Sequence, residues 1–183
     1  MPDAALRNLP PAPATDWMQP LPPAIRLVLH GDAGVRAAAA RTWGVPFADA
    51  ACRAFTHGTR ATLWLGPDEY LLLDTDVDAG DAAIAALEHA MGDTPHALVD
   101  ISHRQFGLEV RGPRAELILG AACPLDLDIA EFPVNMCTRT VLAKADVVLW
   151  RTREEAFHLE IWRSFGGYVS GLLGEIAGEF YGE

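Results

Sequence analysis

The sequence predicts an α+β fold made of two tandem ferredoxin-like half-domains, in which helices cover one face of antiparallel sheets. Segments with strand-like apolar alternation and segments with helical apolar spacing follow one another from residue 25 onwards. This order of elements occurs twice, which indicates an internal repeat. We therefore expect a proline-rich arm over residues 1–24 and a single domain over residues 25–183. The domain should divide into pseudo-repeats at about residues 25–105 and 106–183.

The first half of the domain alternates between strand and helix signals. Apolar residues alternate in IRLVLH, Gly31 ends this strand, and Asp32 is a suitable N-cap for the alanine-rich helix that follows. A Gly-Pro-Asp-Glu turn separates two further apolar runs and predicts a hairpin. The predicted order is a strand at 25–30, a helix to 41, hairpin strands at 59–65 and 70–74, a helix at 80–91 and a strand at 97–102.

The second half repeats this order and ends in a strongly patterned helix. Pro113 suits the first turn of a short helix that follows a strand. The predicted order is a strand at 105–111, a helix at 115–122, strands at 138–144, 146–152 and 156–162, and a helix from 165. The last helix carries one apolar stripe, formed by Phe165, Tyr168, Val169, Leu172, Leu173, Ile176 and Phe180.

Two pairs of segments carry the internal repeat. IRLVLHGDAGVRAAAA, from residue 25, aligns with FGLEVRGPRAELILGA, from residue 106, and Gly31 falls on Gly112. LWLGPDEYLLL aligns with LWRTREEAFHLEI, which has a slightly longer turn, and Trp64 falls on Trp150. In both halves a strand ends at a glycine that precedes a helix, and a hairpin precedes the next helix.

Composition limits the classes of partner. The formal net charge is −11, which argues against phosphate-backbone binding and against an anionic membrane surface. Only 21% of the residues are charged, a value that favours a surface partly covered by a partner. No apolar run approaches the roughly 20 residues of a membrane span, and the N-terminus lacks a signal-peptide pattern. With reduced thiols expected at Cys52, Cys123 and Cys137, these features predict a cytoplasmic protein without nucleic-acid or membrane partners.

The first 24 residues differ from the rest of the chain. Seven of the 13 prolines lie there, and they exclude a helix or a central strand. Two interpretations stay open: a disordered tail, or an extended arm that lies across a partner protein. In the second interpretation Trp17 and Met18 are the apolar anchors of the partner contact.

The sequence contains no strong catalytic motif. The six histidines show no metal-ligand spacing, and neither a dinucleotide fingerprint nor a P-loop is present. Asp146 is the strongest candidate among the carboxylates, because a carboxylate beside an apolar strand could serve as a general base. The alternative is a plain strand-edge aspartate. We predict no catalytic, cofactor-binding or metal-binding residue in this chain.

Four stretches together resemble the gamma-subunit family of heterotetrameric sarcosine oxidase. They are WLGPDEYLLL, VDISHRQFGLEVRGPRA, TVLAKADVVLWR and IWRSFGGYVSGLL. The likeness extends from about residue 25 to the C-terminus. One further pattern also resembles the wider aminomethyltransferase (T-protein) superfamily, whose tandem half-domains match the repeat. It consists of Asp100, Ser102, His103, Gly107, Val110 and Gly112.

The resemblance implies a subunit of a complex that oxidatively demethylates sarcosine to glycine, with formation of hydrogen peroxide and methylenetetrahydrofolate. It places FAD, FMN, NAD and tetrahydrofolate on the alpha and beta subunits and zinc on the delta subunit, so no cofactor is expected in this chain. We therefore expect a non-catalytic assembly subunit with alpha, beta and delta partners.

The alternative function is an independent folate-binding aminomethyltransferase-like enzyme. T-proteins are longer than this chain and add C-terminal domains that help to close the folate site. Asp146 lies near the position of their functional aspartate. Because the rest of that folate pocket is missing here, the role is not carried over to Asp146.

Overall fold

A computed structural model describes residues 15–181, which form two units with the same architecture. The first unit comprises residues 23–103, and the second comprises residues 104–181 together with residues 15–22. Each unit contains one five-stranded antiparallel sheet and two α-helices. The predicted α+β class with two tandem half-domains is confirmed.

The strands, in chain order, are β1 (Met18–Pro20), β2 (Ile25–Gly31), β3 (Ala54–His57), β4 (Arg60–Gly66), β5 (Glu69–Asp74), β6 (His96–Asp100), β7 (Gln105–Arg111), β8 (Cys137–Leu142), β9 (Ala145–Arg153) and β10 (Ala156–Trp162). The helices are α1 (Ala33–Trp43), α2 (Gly80–Met91), α3 (Ala115–Gly120) and α4 (Gly166–Tyr181). Among the described residues, no helix combines the length and the apolar character that crossing a bilayer requires.

The first unit has the strand order β3-β4-β5-β2-β6. Alternate residues of β2 enter its core, where Leu27 and Leu29 are fully buried and Trp43 of α1 and Leu87 of α2 pack against them. The predicted N-cap is confirmed, since the Asp32 carboxylate accepts a hydrogen bond from a backbone N–H of the first turn of α1 at 3.0 Å.

The second unit has the strand order β8-β9-β10-β7-β1, which matches the first unit strand for strand. Leu108, Leu149, Phe157 and Leu173 are completely buried in its core. The strand that occupies the outer position beside β7 is β1, and the strand in the matching position beside β2 is β6. The fifth strand therefore comes from the N-terminal segment in one unit and from the segment after the second helix in the other.

The described part of the predicted proline-rich arm pairs with the chain's own sheet. Met18 faces Val110 across the β1–β7 pair, and Pro20 faces Leu108. A proline is tolerated here because β1 is an edge strand, where only alternate N–H groups point towards a neighbour. Residues 1–14 of the arm lie outside the described residues. The boundaries at residues 24 and 105 stay predictions.

The burial of Met18 corrects one predicted partner contact. Its side chain is 1% exposed and belongs to the apolar core of the second unit. A side chain that fills the core of its own unit is unavailable to a partner. Of the two predicted contact residues, Trp17 therefore stays a prediction, because its side chain is only partly buried against the same core.

Candidate functional site

Asp146 lies at the start of β9, directly after the tight β8–β9 turn. Its partner in the strand register is Val141 of β8, and Ala143 in the turn adopts a left-handed φ of 49°. The Asp146 side chain is exposed to solvent, whereas the following residues of β9 are buried. The burial that the general-base interpretation requires is therefore missing, and the geometry matches the strand-edge alternative.

The Asp100–Ser102 pair of the superfamily-like pattern stabilises the edge of the first sheet. The Arg26 backbone N–H donates to the Ser102 Oγ at 2.8 Å, and the Ser102 N–H donates to the Asp100 Oδ1 at 2.8 Å. The Ile101 N–H donates to the Arg26 carbonyl at 2.8 Å. These bonds extend the β2–β6 pairing past the end of β6, so both side chains have a structural role.

The histidines and cysteines are dispersed. Within residues 15–181, no group of three or more His, Cys, Asp and Glu side chains lies close enough to hold a metal ion. His96 bonds the Thr94 carbonyl at 2.6 Å and the Glu88 carboxylate at 2.9 Å. The hydrogen bond to Thr94, and then that to Glu88, raise the pKa of His96 because both stabilise the protonated ring. Cys52, Cys123 and Cys137 form no disulfide.

A wide groove in the second unit adjoins the predicted partner-contact residue Trp17. Its volume is about 1150 Å³. Both apolar and charged residues line it, among them Trp17, Arg111, Pro113, Val134, Arg153 and Ala156. Val134 is 39% exposed. Grooves of mixed apolar and polar character are typical of binding surfaces.

Hydrogen bonds from the sheet position the charged side of this groove. Glu109 of β7 accepts from the Arg111 Nη1 at 3.3 Å and from the Arg153 Nη2 at 2.7 Å. The Arg111 N–H donates to the Trp17 carbonyl at 2.7 Å, and its Nε donates to the Asp16 carbonyl at 3.2 Å. The groove thus presents an indole beside two arginines that a single carboxylate fixes. This arrangement suits recognition better than proton transfer.

The sequence did not predict this groove. Its residues come from the N-terminal segment, the end of β7, the loop before β8 and the β9–β10 turn. Trp17 was the only one of them with a local signal, namely an exposed aromatic side chain in a proline-rich segment. The other groove residues are brought together by strand pairing.

Comparisons with known proteins give consistent matches. The sarcosine oxidase gamma subunit family model matches residues 21–179. The sarcosine oxidase subunit gamma of Corynebacterium sp. (strain U-96) is 37% identical over 151 residues, which cover 82% of this chain and 72% of that protein. The chain spans 59% and 62% of two further gamma subunits, from Corynebacterium sp. (strain P-1) and Arthrobacter sp..

Solved structures match the fold. A chain of the heterotetrameric sarcosine oxidase from Corynebacterium sp. U-96, in complex with pyrrole 2-carboxylate, superposes with a TM-score of 0.83 and 31% identity. The match covers 91% of this chain and 85% of that chain. The glycine cleavage system aminomethyltransferase T from Bartonella henselae matches with a TM-score of 0.63 and 13% identity. That match covers 85% of this chain and 44% of that chain, and it shows the fold alone.

The fold thus defines an α+β protein of the class that shares tandem half-domains with aminomethyltransferase T. The family match then gives the narrower assignment. The chain belongs to the sarcosine oxidase gamma subunit family, which is the family of a subunit of an oxidoreductase complex.

Proposed function

We propose that this chain is the non-catalytic gamma subunit of a heterotetrameric sarcosine oxidase and serves its assembly. The single observation that carries the proposal is the match, over 91% of the chain, to a chain of the heterotetrameric enzyme from Corynebacterium. The complex would oxidatively demethylate sarcosine to glycine and form hydrogen peroxide and methylenetetrahydrofolate. The alpha and beta subunits would hold FAD, FMN, NAD and tetrahydrofolate, and the delta subunit would hold zinc.

The geometry of the candidate chemical residues supports a structural role. Ser102 and Asp100 are engaged by backbone N–H groups of the first sheet. Asp146 is exposed on a β-turn edge. A hydroxyl acts as a nucleophile when an adjacent base activates it, and burial is what tunes a carboxylate for general-base work. These three side chains are instead used by the fold or face solvent.

Trp17 is our proposed contact to a partner subunit. Its ring is partly buried against the core of the second unit, and it lines the groove beside Arg111 and Arg153. Tryptophan and arginine are the residue types that contribute most to binding energy at protein interfaces. We further propose a cytoplasmic location, which cysteines that form no disulfide, Cys52, Cys123 and Cys137, support.

Co-purification tests the proposed function. The full chain, carrying an affinity tag, is co-expressed with the other sarcosine oxidase subunits of its source organism, and the eluate is assayed for these subunits and for sarcosine-dependent hydrogen peroxide. We expect all of the subunits to elute together with the activity. Trp17→Ala should lower the recovered amount of the partner subunits, because it removes an aromatic anchor.

A matched control uses Phe55→Ala, since Phe55 is an exposed aromatic side chain on β3 of the first unit. This variant should recover the partners as the unchanged chain does. Recovery of the tagged chain alone, with the other subunits present and folded, would contradict the proposed function.

A further inference from the structure

The outer edge of β6, at one end of the first sheet, is open. β6 pairs with β2 on one side, and among residues 15–181 no strand lies on its other side. In this antiparallel pair the Ile101 N–H donates to the Arg26 carbonyl at 2.8 Å. Inward and outward backbone groups alternate along a strand. Val99 therefore bonds to β2, whereas Leu98 and Asp100 direct their N–H and C=O groups outwards.

The matching edge of the second unit, on β1, is closed. The outward backbone groups of β1 belong to Met18 and Pro20. The Met18 N–H donates to the Thr15 Oγ1 at 2.9 Å, its carbonyl accepts from the Thr15 N–H at 2.8 Å, and Pro20 has no N–H. Folded proteins close edge strands in this way because an open row of donors and acceptors pairs with another chain. β6 contains no proline, and within the described part of the chain no turn covers its outward groups.

The side chains around the open edge are apolar and acidic. Val99 is 49% exposed, and Leu98 is only partly buried against the first core. Residues 76–102, which include α2 and β6, contain six acidic residues and no lysine or arginine. Two of these acids, Asp93 and Asp100, are exposed, one just before β6 and one at its end. This charge favours a basic strand at the edge and disfavours a second copy of a chain whose net charge is −11.

We propose that the outer edge of β6 pairs with an extended basic segment of a partner subunit, which adds a strand to the five-stranded first sheet. The backbone of that segment bonds the outward groups of Leu98 and Asp100, the mode of recognition in which a peptide extends a sheet. An apolar side chain of the segment packs beside Val99, and a lysine or arginine lies near Asp100. This inference rests on the proposed function and names a docking edge in the first unit, in addition to the groove at Trp17 in the second.

Competition for places in the assembled complex tests the inference. Full-length chain that carries Leu98→Pro is co-expressed with the unchanged chain and the other sarcosine oxidase subunits. The complex is purified through a tag on a partner subunit, and mass spectrometry measures the share of each form. The proline removes one outward N–H and no bond to β2, and it should lower the share about 10-fold, the effect of one missing backbone hydrogen bond. Leu98→Ala is the matched control, because it shortens the same side chain but keeps the N–H, and its share should stay within about 3-fold of the unchanged chain.

Charge variants of Val99 test the chemistry of the partner segment. Val99→Lys should lower the share about 10-fold because it places a cation beside a basic strand, whereas Val99→Glu should keep a larger share. Phe55→Lys is the control on β3, at the other end of the same sheet, where the Phe55 side chain is 42% exposed, and it should compete equally with the unchanged chain. Because Val99 and Phe55 are exposed, we expect unchanged thermal unfolding midpoints for these variants, which separates lost docking from lost folding.

Three outcomes would overturn the inference and leave the proposed function intact. One is an equal share for Leu98→Pro, Leu98→Ala and Val99→Lys in a complex that the unchanged chain does enter. Another is a lower share for Val99→Glu than for Val99→Lys, which would mean that the partner segment is acidic. The third is a homodimer of the full chain, expressed alone, that Leu98→Pro abolishes, since a second copy would then occupy the edge. Failure of the unchanged chain to enter any complex would overturn both the inference and the proposed function.

Discussion

Gly31 and Gly112 occupy matching positions in the two repeats, yet the structure requires glycine at each for a different reason. At Gly31 a Cβ atom would lie 2.3 Å from the Val35 Cγ1, so any side chain would collide with the first turn of α1. At Gly112 the space is open, but the backbone φ of 102° strains an L-amino acid. At the scale of single residues, glycine is therefore required for a steric reason in one repeat and for a conformational reason in the other.

Asp74 forms a largely buried ion pair in the first unit. The Arg60 Nε donates to its Oδ2 at 2.7 Å, and the Asp76 N–H donates to its Oδ1 at 3.0 Å. Burial raises the pKa of Asp74, but the hydrogen bonds from Arg60, Asp76 and Thr59 together outweigh burial, and the pKa lies below its usual value of 3.8. The same Arg60 stacks over the ring of Trp43 at 4.6 Å.

The lowered pKa of Asp74 predicts how stability depends on pH. The charged carboxylate contributes its full stabilisation above the unfolded-state pKa, about 3.9, and this is lost as pH falls through the lower folded-state value. Asp74→Asn should reduce the free energy of unfolding at pH 7 by about 3 kcal/mol, because it leaves a partly buried arginine without its partner. The difference from the unchanged chain should shrink below about pH 4.

Urea unfolding between pH 3 and pH 7 measures this difference. Asp49→Asn is the matched control, since the Asp49 side chain is 97% exposed and its ion pair with Arg36 is long, at 4.0 Å. It should change stability by less than about 0.5 kcal/mol. If the difference in the free energy of unfolding between Asp74→Asn and the unchanged chain stays constant with pH, the charge of the Asp74 carboxylate does not stabilise the fold.

The edge strands β1 and β6 illustrate how one structural position is filled by two different segments. Both lie antiparallel beside the first strand of their own repeat. The register of β1 places Met18 over the core of the second unit, while Gln19 points to the opposite face. At the scale of elements, truncation through residue 24 would therefore remove a strand of the second unit.

Met18→Ala should test the structural importance of β1. Replacing this buried side chain with alanine leaves a cavity, and we expect the free energy of unfolding to fall by about 2–5 kcal/mol. Gln19→Ala, on the other face of the same strand, should change it by less than about 0.5 kcal/mol. Denaturant unfolding, followed by tryptophan fluorescence, measures both variants. Equal stability of the two would mean that β1 does not contribute to the core.

At the scale of the whole molecule, the chain shares its fold with part of aminomethyltransferase T, and its candidate chemical residues serve the fold or face solvent. Ser102 and Asp100 accept hydrogen bonds that extend the pairing of β2 with β6, and Asp146 faces solvent. The groove around Trp17, which carries residue types common at interfaces, belongs to the second unit. Binding of partner proteins therefore suits the molecule better than binding of a small substrate.

Titration with tetrahydrofolate separates the proposed subunit from the alternative folate-binding enzyme. We expect no heat of binding when the full chain is titrated in a calorimeter, and the same result for Asp146→Asn. The exposed position of Asp146 is the reason, because a folate site needs a concave and largely apolar pocket around its polar anchor. Micromolar binding that Asp146→Asn abolishes would favour the enzyme.

Periodicity and turn chemistry were enough to locate most of the elements. The predicted bounds of the helix at 80–91 and of the strands at 105–111 and 156–162 are those of α2, β7 and β10. The pattern that predicts each of these segments lies within the segment itself. It consists of apolar residues at helical or strand spacing, bounded by glycine, proline or charged residues. The sequence missed β3 because three of its four residues are exposed. A strand without a buried face shows no alternation and is defined by its pairing with β4.

By itself, the sequence determined the fold class, the repeat and the family, because each rests on local apolar periods and on residue identities that repeat along the chain. Tertiary structure alone decided that Met18 enters the core, that Asp146 faces solvent, and that β6 forms an edge of its sheet. The physical reason is that burial and long-range contact depend on which strands pair and in which register. A one-residue shift in the register of β1 would have turned Met18 outwards and Gln19 into the core.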